Sequence, residues 1–253
     1  MMPELTQPNS RKVAVRYDAH AAPQRLAARD LLAFTGAVSP HAILEPGCGT
    51  GLYTRLLLDA FPAATILGVD ISAAMLASAR EHSADPRARF LHQDAEELTT
   101  GHYDLITANA AFQWFVHLPR TLARLTGMLN EGGMLSFSFF GPGTFRELDE
   151  ALQATFGDGQ QVASRGFANG DALAGCLQAT CRQWAMEERT YTQTFATVKD
   201  LLLSIRYTGT RGPVTGRQTA WTPRRLAQVE AAYRERHGEI RASYQVFLCK
   251  GHP

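Results

Sequence analysis

The residues that most restrict what this chain can fold into are Gly47, Gly49 and Gly51, spaced across one short turn between an apolar pair, Ile43-Leu44, and a segment of helical spacing at 52–61. Glycine is needed there because such a turn takes up positive φ and lets a ligand approach the backbone with no Cβ in the way. A strand that runs through a glycine turn into a helix is the opening of a βαβ unit. By itself the turn fits a dinucleotide site, a phosphate loop or a mere tight turn. Its spacing is not GxGxxG and no GK[ST] follows, which counts against a nicotinamide site and against a P-loop.

The rest of the first 140 residues keeps that rhythm. A helix is predicted at 23–34, with Leu26, Leu31, Leu32 and Phe34 as its apolar side. Strands are predicted at 64–70, 89–94, 103–109 and 134–140. Between them lie helices at 73–82, with Ser72 as N-cap, and at 118–129, with Gly132-Gly133 as its stop. After Phe140 the pattern changes to helices at 145–156, 171–178, 198–205 and 223–236, with strands at 184–195 and 243–249. Seven strands alternating with helices predict an α/β fold, a mostly parallel sheet covered on both faces, with a helical cap inserted before the last strands. The expected organisation is one domain over 1–253: an N-terminal helical lid at 1–36, a ligand-binding core at 37–140, and substrate-side cap segments at 141–180 and 197–240. In such a sheet, ligands bind at the carboxyl ends of the strands near the switch in strand order.

Composition excludes several classes. No apolar stretch approaches the roughly 18 to 20 residues of a membrane span. The N-terminal residues have no apolar core behind a basic start, so no secretory leader is expected. Cys48, Cys176, Cys181 and Cys249 form no CxxC pair and no metal-ligand spacing, so no metal site is expected and a reduced, cytoplasmic setting fits. The chain carries 25 Lys+Arg against 24 Asp+Glu, yet residues 201–253 hold nine basic and three acidic side chains. This basic end reads either as an Arg-rich solvated face or as a docking surface for an acidic partner.

Two acidic residues give the glycine turn a partner chemistry. Asp70 closes the second predicted strand, where a carboxylate can accept hydrogen bonds from both ribose hydroxyls of an adenosine group. Asp94 closes the third and is followed by the small Ala95, leaving room for an adenine ring whose exocyclic amine the carboxylate can reach. At 45–51, 68–72, 93–98 and 103–115 the sequences EPGCGTG, GVDIS, QDAEEL and YDLITANAAFQWF resemble the four motifs of the class I S-adenosylmethionine-dependent methyltransferases, a Rossmann-like fold. The resemblance implies that Glu45 and the backbone of Gly47, Cys48, Gly49 and Gly51 hold the amino-acid end of S-adenosylmethionine. It implies that Asp70 takes the ribose, Ile71 and Met75 flank the adenine, and Asp94 with Ala95 reads its edge. Asn109, Ala110, Gln113 and Trp114 then line the floor beneath the methyl group.

Within that superfamily the chain resembles the malonyl-acyl-carrier-protein O-methyltransferases of biotin (pimeloyl) synthesis. Tyr17-Asp18 with Ala21 and Gln24 resembles their opening segment, which folds over the cofactor. Phe139-Phe140-Gly141-Pro142-Gly143-Thr144-Phe145 with Glu147-Leu148 resembles a signature on the substrate side, and Asp200-Leu201-Leu202 and Thr222-Pro223-Arg224 resemble later segments. The family implies methyl esterification of the free carboxylate of a malonyl group carried on acyl carrier protein or on coenzyme A, by a monomer, with no nucleic acid or membrane partner. Positioning candidates are Tyr17, Gln113 and Trp114; no catalytic base stands out, and His102, His117 and His237 are isolated. Arg146, Arg206 and Arg211 are the candidates for holding the carboxylate. Arg217, Arg224, Arg225, Arg234, Arg236 and Arg241 are those for docking the acidic carrier protein. The competing readings are a small-molecule carboxylate or a phenol or quinone O- or C-methyltransferase, and a non-catalytic binding protein on the same fold.

Overall fold

The computed structural model describes residues 16–157, 160–208 and 221–253. Its sheet begins where the glycine turn begins. β1 (Ala42–Pro46) pairs in parallel with β2 (Thr65–Asp70) on one side and with β4 (Tyr103–Asn109) on the other. β3 (Ala88–His92) extends the first side and β5 (Leu129–Phe140) the second, both parallel. β7 (Ile240–His252) then pairs antiparallel with β5, and β6 (Gln183–Phe195) pairs antiparallel with β7. The order β3-β2-β1-β4-β5-β7-β6 reverses direction between β1 and β4. The carboxyl ends of those two strands therefore open a crevice, because their following loops diverge to opposite sides.

Eight consecutive buried residues end β5, as a central strand covered on both faces requires. On one face pack α1 (Ala22–Thr35), α2 (Leu52–Ala60), α5 (Arg146–Phe156), α7 (Val198–Tyr207) and α8 (Pro223–His237), around Leu31, Leu57, Leu148, Leu201 and Tyr233. On the other pack α4 (Leu118–Thr126) and α6 (Gly170–Thr180), around Phe112, Leu122, Phe137 and Leu173. The substrate-side segment 141–180 thus divides between the two faces, α5 on one and α6 on the other. α3 (Ala73–His82) starts at Ser72, whose side chain accepts from the Met75 N–H at 3.3 Å, the predicted cap. Among the described residues no helix is long and apolar enough to cross a membrane.

Two local expectations are corrected. The core face of α1 is Gln24, Ala27, Ala28, Leu31 and Thr35, spaced by three, four and seven, while Leu26 is 44% exposed. α4 ends at Thr126 rather than near 129, closed by the Gly127 N–H on Ala123 O at 3.2 Å. Gly132 and Gly133 lie instead inside β5, where the pairing jumps from Tyr103↔Leu129 to Leu105↔Met134, and Gly132 takes φ +75° in that irregularity.

Candidate cofactor and acceptor site

The loop after β1 is shaped by what it must clear. Gly47, Gly49 and Gly51 have φ of +71°, +56° and +76°. A Cβ on Gly47 would stand 2.4 Å from the Ala111 Cβ, so this glycine lets the loops after β1 and β4 meet. A Cβ on Gly49 would meet no atom within 4 Å, so the loop is open on that side. The turn is anchored from β2: the Gly47 N–H donates to Val69 O at 2.7 Å and the Gly49 N–H to Asp70 Oδ2 at 2.9 Å. Asp70 Oδ1 accepts from the Ser72 N–H at 2.8 Å. Burial raises the Asp70 carboxyl above its ordinary value, and these two backbone donors oppose the shift. Ile71, beside it, is half-exposed, and its carbonyl oxygen lies 2.9 Å from His92 Nε2.

Glu45 is fully buried beneath the turn and accepts from Thr54 Oγ1 at 2.5 Å. Burial pushes its carboxyl from the ordinary 4.5 to about 8, against the pull of the Thr54 hydroxyl. A raised folded-state pKa means that the native chain holds the proton longer than the unfolded chain. Glu45's contribution to stability is therefore complete below about pH 4.5 and lost as the pH rises through about 8. In the ligand-free protein, Glu45→Gln is expected to flatten the stability–pH curve and to be the more stable form at pH 9. Chemical denaturation at pH 5, 7 and 9 checks this, and parallel curves for the two proteins would overturn it.

After β3, Asp94 Oδ1 accepts from the Glu96 N–H at 2.8 Å and opens a 3-10 turn, Ala95–Glu97, with Ala95 buried. After β4, Asn109 is fixed on both sides: its Nδ2 donates to Gln24 O at 3.1 Å and its Oδ1 accepts from Ser138 Oγ at 2.7 Å. Ala110 has φ +51°, unusual for a residue with a side chain, and its N–H donates to Ser138 Oγ at 2.9 Å. Gln113 Nε2 donates to Ala110 O at 2.6 Å, and Trp114 meets Phe167 edge-on with centroids 5.2 Å apart.

Residues 16–20 form a helical turn over these loops. Asp18 Oδ1 accepts from Thr50 Oγ1 at 2.7 Å, and the His20 ring stacks on Tyr207 at 5.1 Å. Burial, then the Asp18 and Asp70 carboxylates, drives the Tyr17 hydroxyl far above its ordinary pKa, so it stays protonated and is no base. Burial likewise holds the Cys48 thiol protonated.

Sequence reasoning placed Glu45, the glycine turn, Asp70, Ile71, Asp94, Ala95, Asn109, Ala110, Gln113 and Trp114 on loops at one end of the sheet, and the structure brings those loops together there, with Met75 on the first turn of α3. It did not single out Ser138, and it named Asp18 and Glu96 only inside longer motifs, without the roles that their partners distant in the chain give them. The arginines are more dispersed. Arg146 begins α5 with its Nε 3.2 Å from Glu147 Oε1 and its side chain 60% exposed. Arg206 is exposed and precedes Tyr207, which packs on the 16–20 turn. Arg224 is exposed on the first turn of α8, and Arg225 lies over the Phe156 ring at 5.2 Å. Arg234 bridges to Glu230 at 3.0 Å and Arg236 to Glu150 at 3.0 Å, while Arg241 Nε is 3.9 Å from Glu147 Oε1. Arg211 and Arg217 lie outside the described residues.

The donor set tests whether an S-adenosyl group fits. Glu45, Asp70 and Asp94 offer carboxyl oxygens, and Gln24 Oε1 and Gln113 Oε1 are buried acceptors without a hydrogen-bond partner among the described residues. S-adenosylmethionine presents an ammonium, two ribose hydroxyls and an exocyclic amine, all donors, so an acceptor-rich site beside an open glycine turn fits it.

A family model described as a methyltransferase domain matches residues 43–133. The YcgJ protein of Bacillus subtilis superposes with a TM-score of 0.61 at 14% identity, covering 90% of this chain and 99% of that one. Phosphoethanolamine N-methyltransferase 2 of Haemonchus contortus, solved with S-adenosylhomocysteine, gives 0.60 at 17% identity over 98% of this chain and 59% of its own. Fold and site together define a Rossmann-like class I methyltransferase. Among curated relatives, the malonyl-[acyl-carrier protein] O-methyltransferase of Paenibacillus sp. (strain JDR-2) is 34% identical over 79% of each chain. That of Anoxybacillus flavithermus is 33% identical over 95% of this chain and 94% of its own. The chain belongs to the malonyl-[acyl-carrier protein] O-methyltransferase family.

Proposed function

We propose that the protein methylates the free carboxylate of a malonyl thioester, carried on acyl carrier protein or coenzyme A, giving the methyl ester and S-adenosylhomocysteine, and that it acts as a cytoplasmic monomer. When bound, S-adenosylmethionine supplies an electrophilic methyl group on a sulfonium centre. Glu45, Asp70 and Asp94 hold the donor through its hydrogen-bond donors, and the glycine turn accommodates its amino-acid end. Asn109, Ala110, Gln113 and Trp114 form the floor on which the acceptor is aligned, and Tyr17 on the 16–20 turn excludes water from above. A malonyl carboxylate is ionised at neutral pH, so no proton need be removed before it attacks. The observation that carries this reading is the acceptor-rich crevice at the carboxyl ends of β1 and β4, in a chain whose family resemblance runs nearly end to end.

Arg146, which meets Glu147 through Nε, and Arg206, exposed on the last turn of α7, are the described candidates for holding the carboxylate, and Arg206 stands beside the contact between α7 and the 16–20 turn. Among the described docking candidates, Arg224 is the most open, since Arg234, Arg236 and Arg241 already face carboxylates of this chain. The deciding experiment supplies labelled S-adenosylmethionine with malonyl-acyl carrier protein, malonyl-coenzyme A and free diacids. A labelled methyl ester on a malonyl thioester is expected, and its absence from every thioester overturns the proposal. Raising ionic strength is expected to depress turnover on the carrier-protein substrate several-fold more than on malonyl-coenzyme A, because screened surface charges steer the larger partner. Equal salt sensitivity would count against a basic docking face.

A further inference from the structure

The N-terminus of α4 is capped from outside its own segment. Its N-cap residue, His117, offers no side-chain cap, and the exposed N–H groups ahead of the helix are met by Glu96, from the turn after β3. Glu96 Oε2 accepts from the Val116 N–H at 2.9 Å, and Oε1 accepts from the His117 N–H at 2.8 Å and from Thr121 Oγ1 at 3.1 Å. These donors hold its carboxyl below the ordinary value despite burial. A second grip lies two turns on, where Arg124 donates from Nη2 to Ala95 O at 2.9 Å and from Nε to Leu98 O at 2.7 Å. The 94–98 turn is thus fastened to both ends of α4.

The two fastened parts serve different reactants in the proposed reaction. The 94–98 turn begins with Asp94, on the adenosine side, and Asp94 accepts from the Glu96 N–H itself. The 3-10 turn Phe112–Trp114, on the acceptor side, ends shortly before α4, and the Val116 and His117 N–H groups that Glu96 holds lie in the connection. A local serine or aspartate at 117 would cap the helix equally well for stability. A cap supplied from the neighbouring loop also fixes the distance between two walls that must align donor and acceptor, and small misplacements there cost rate steeply.

We propose that Glu96 is a positioning residue that couples the adenosine-side turn to the acceptor-side turn through the N-terminus of α4. The inference rests on the methyl-transfer reading above. Both Glu96 oxygens accept, so Glu96→Gln places an NH2 against a backbone N–H while keeping the side chain's shape.

With malonyl-coenzyme A as acceptor, well below the melting temperature, E96Q is expected to lower kcat at least about tenfold and leave the dissociation constant for S-adenosylhomocysteine within about threefold. Arg124→Gln is expected to lower kcat as well, less strongly, with the same small effect on the dissociation constant. Amide hydrogen exchange supplies a readout independent of turnover. S-adenosylhomocysteine should protect 94–98 and 114–121 together in the wild type and only 94–98 in E96Q. A kcat within twofold of wild type, or protection of 114–121 that persists in E96Q, would overturn the inference. Absence of methyl transfer by the wild type would instead overturn the reading beneath it.

Discussion

Gly49→Ala is expected to give a folded protein that has lost most of its affinity for S-adenosylhomocysteine, while Gly47→Ala is expected to lose the fold's stability first. The two glycines share positive φ but not surroundings. A Cβ at 49 meets no atom within 4 Å, so the ligand-free chain bears only the left-handed backbone strain of about 1–2 kcal/mol. That Cβ lies on the open side of the turn, where the ligand needs bare backbone. Losing about 2 kcal/mol of contact there corresponds to about thirtyfold in affinity. A Cβ at 47 lies 2.4 Å from the Ala111 Cβ, and overpacking of this kind adds about 1–3 kcal/mol to the same strain. At about 2–4 °C per kcal/mol in a chain of this size, Gly47→Ala should melt on the order of 10 °C lower. Gly132→Ala, with φ +75° and open space far from the site, is the control that should shift melting slightly and binding not at all. Thermal melts with and without ligand, and calorimetric titration, separate the three. Unchanged affinity in Gly49→Ala would remove the turn from the binding site.

Asp70→Asn should be as damaging to binding by a different route. Each Asp70 oxygen already accepts a backbone N–H, from Gly49 and from Ser72, and each keeps a further lone pair for another donor. An amide in its place turns one acceptor into a donor against a donor, which loosens the turn, and it removes the charge that strengthens the ribose contacts. Charge-assisted hydrogen bonds contribute about 1.5–3 kcal/mol each, so losing two predicts an affinity loss of a hundredfold or more. Titration with S-adenosylhomocysteine checks it, and a loss under fivefold would show that Asp70 serves the loop alone.

The elements around this site were legible because their signals are local. Ser72 stands one residue before its helix, the glycines sit in their turn, and Asp70 and Asp94 fall at or just past strand ends. What was not legible depends on partners far along the chain. Ser138 holds Asn109 and Ala110 from β5, Tyr207 meets His20 across the molecule, and Glu96 caps a helix that begins some twenty residues later. The same limit applied to the basic end. A count of charges sees nine basic residues after 200, but not that Glu230, Glu150 and Glu147 already face Arg234, Arg236 and Arg241. Helix ends near glycine were misread for a related reason, since a glycine pair stops a helix or bulges a strand depending on the neighbouring strand's register.

The strand order also governs the timetable of synthesis. β6 pairs with β7 along its whole length, and β7 also supplies the antiparallel partner of β5. A growing chain on the ribosome therefore carries β6 without a strand to pair with until residues 240–252 have emerged. The cofactor-side half, β1 to β5, is complete much earlier and leaves β5 as a bare edge in the meantime. Closure of the sheet therefore waits for β7, and that interval is when this protein is most open to aggregation or to chaperone capture.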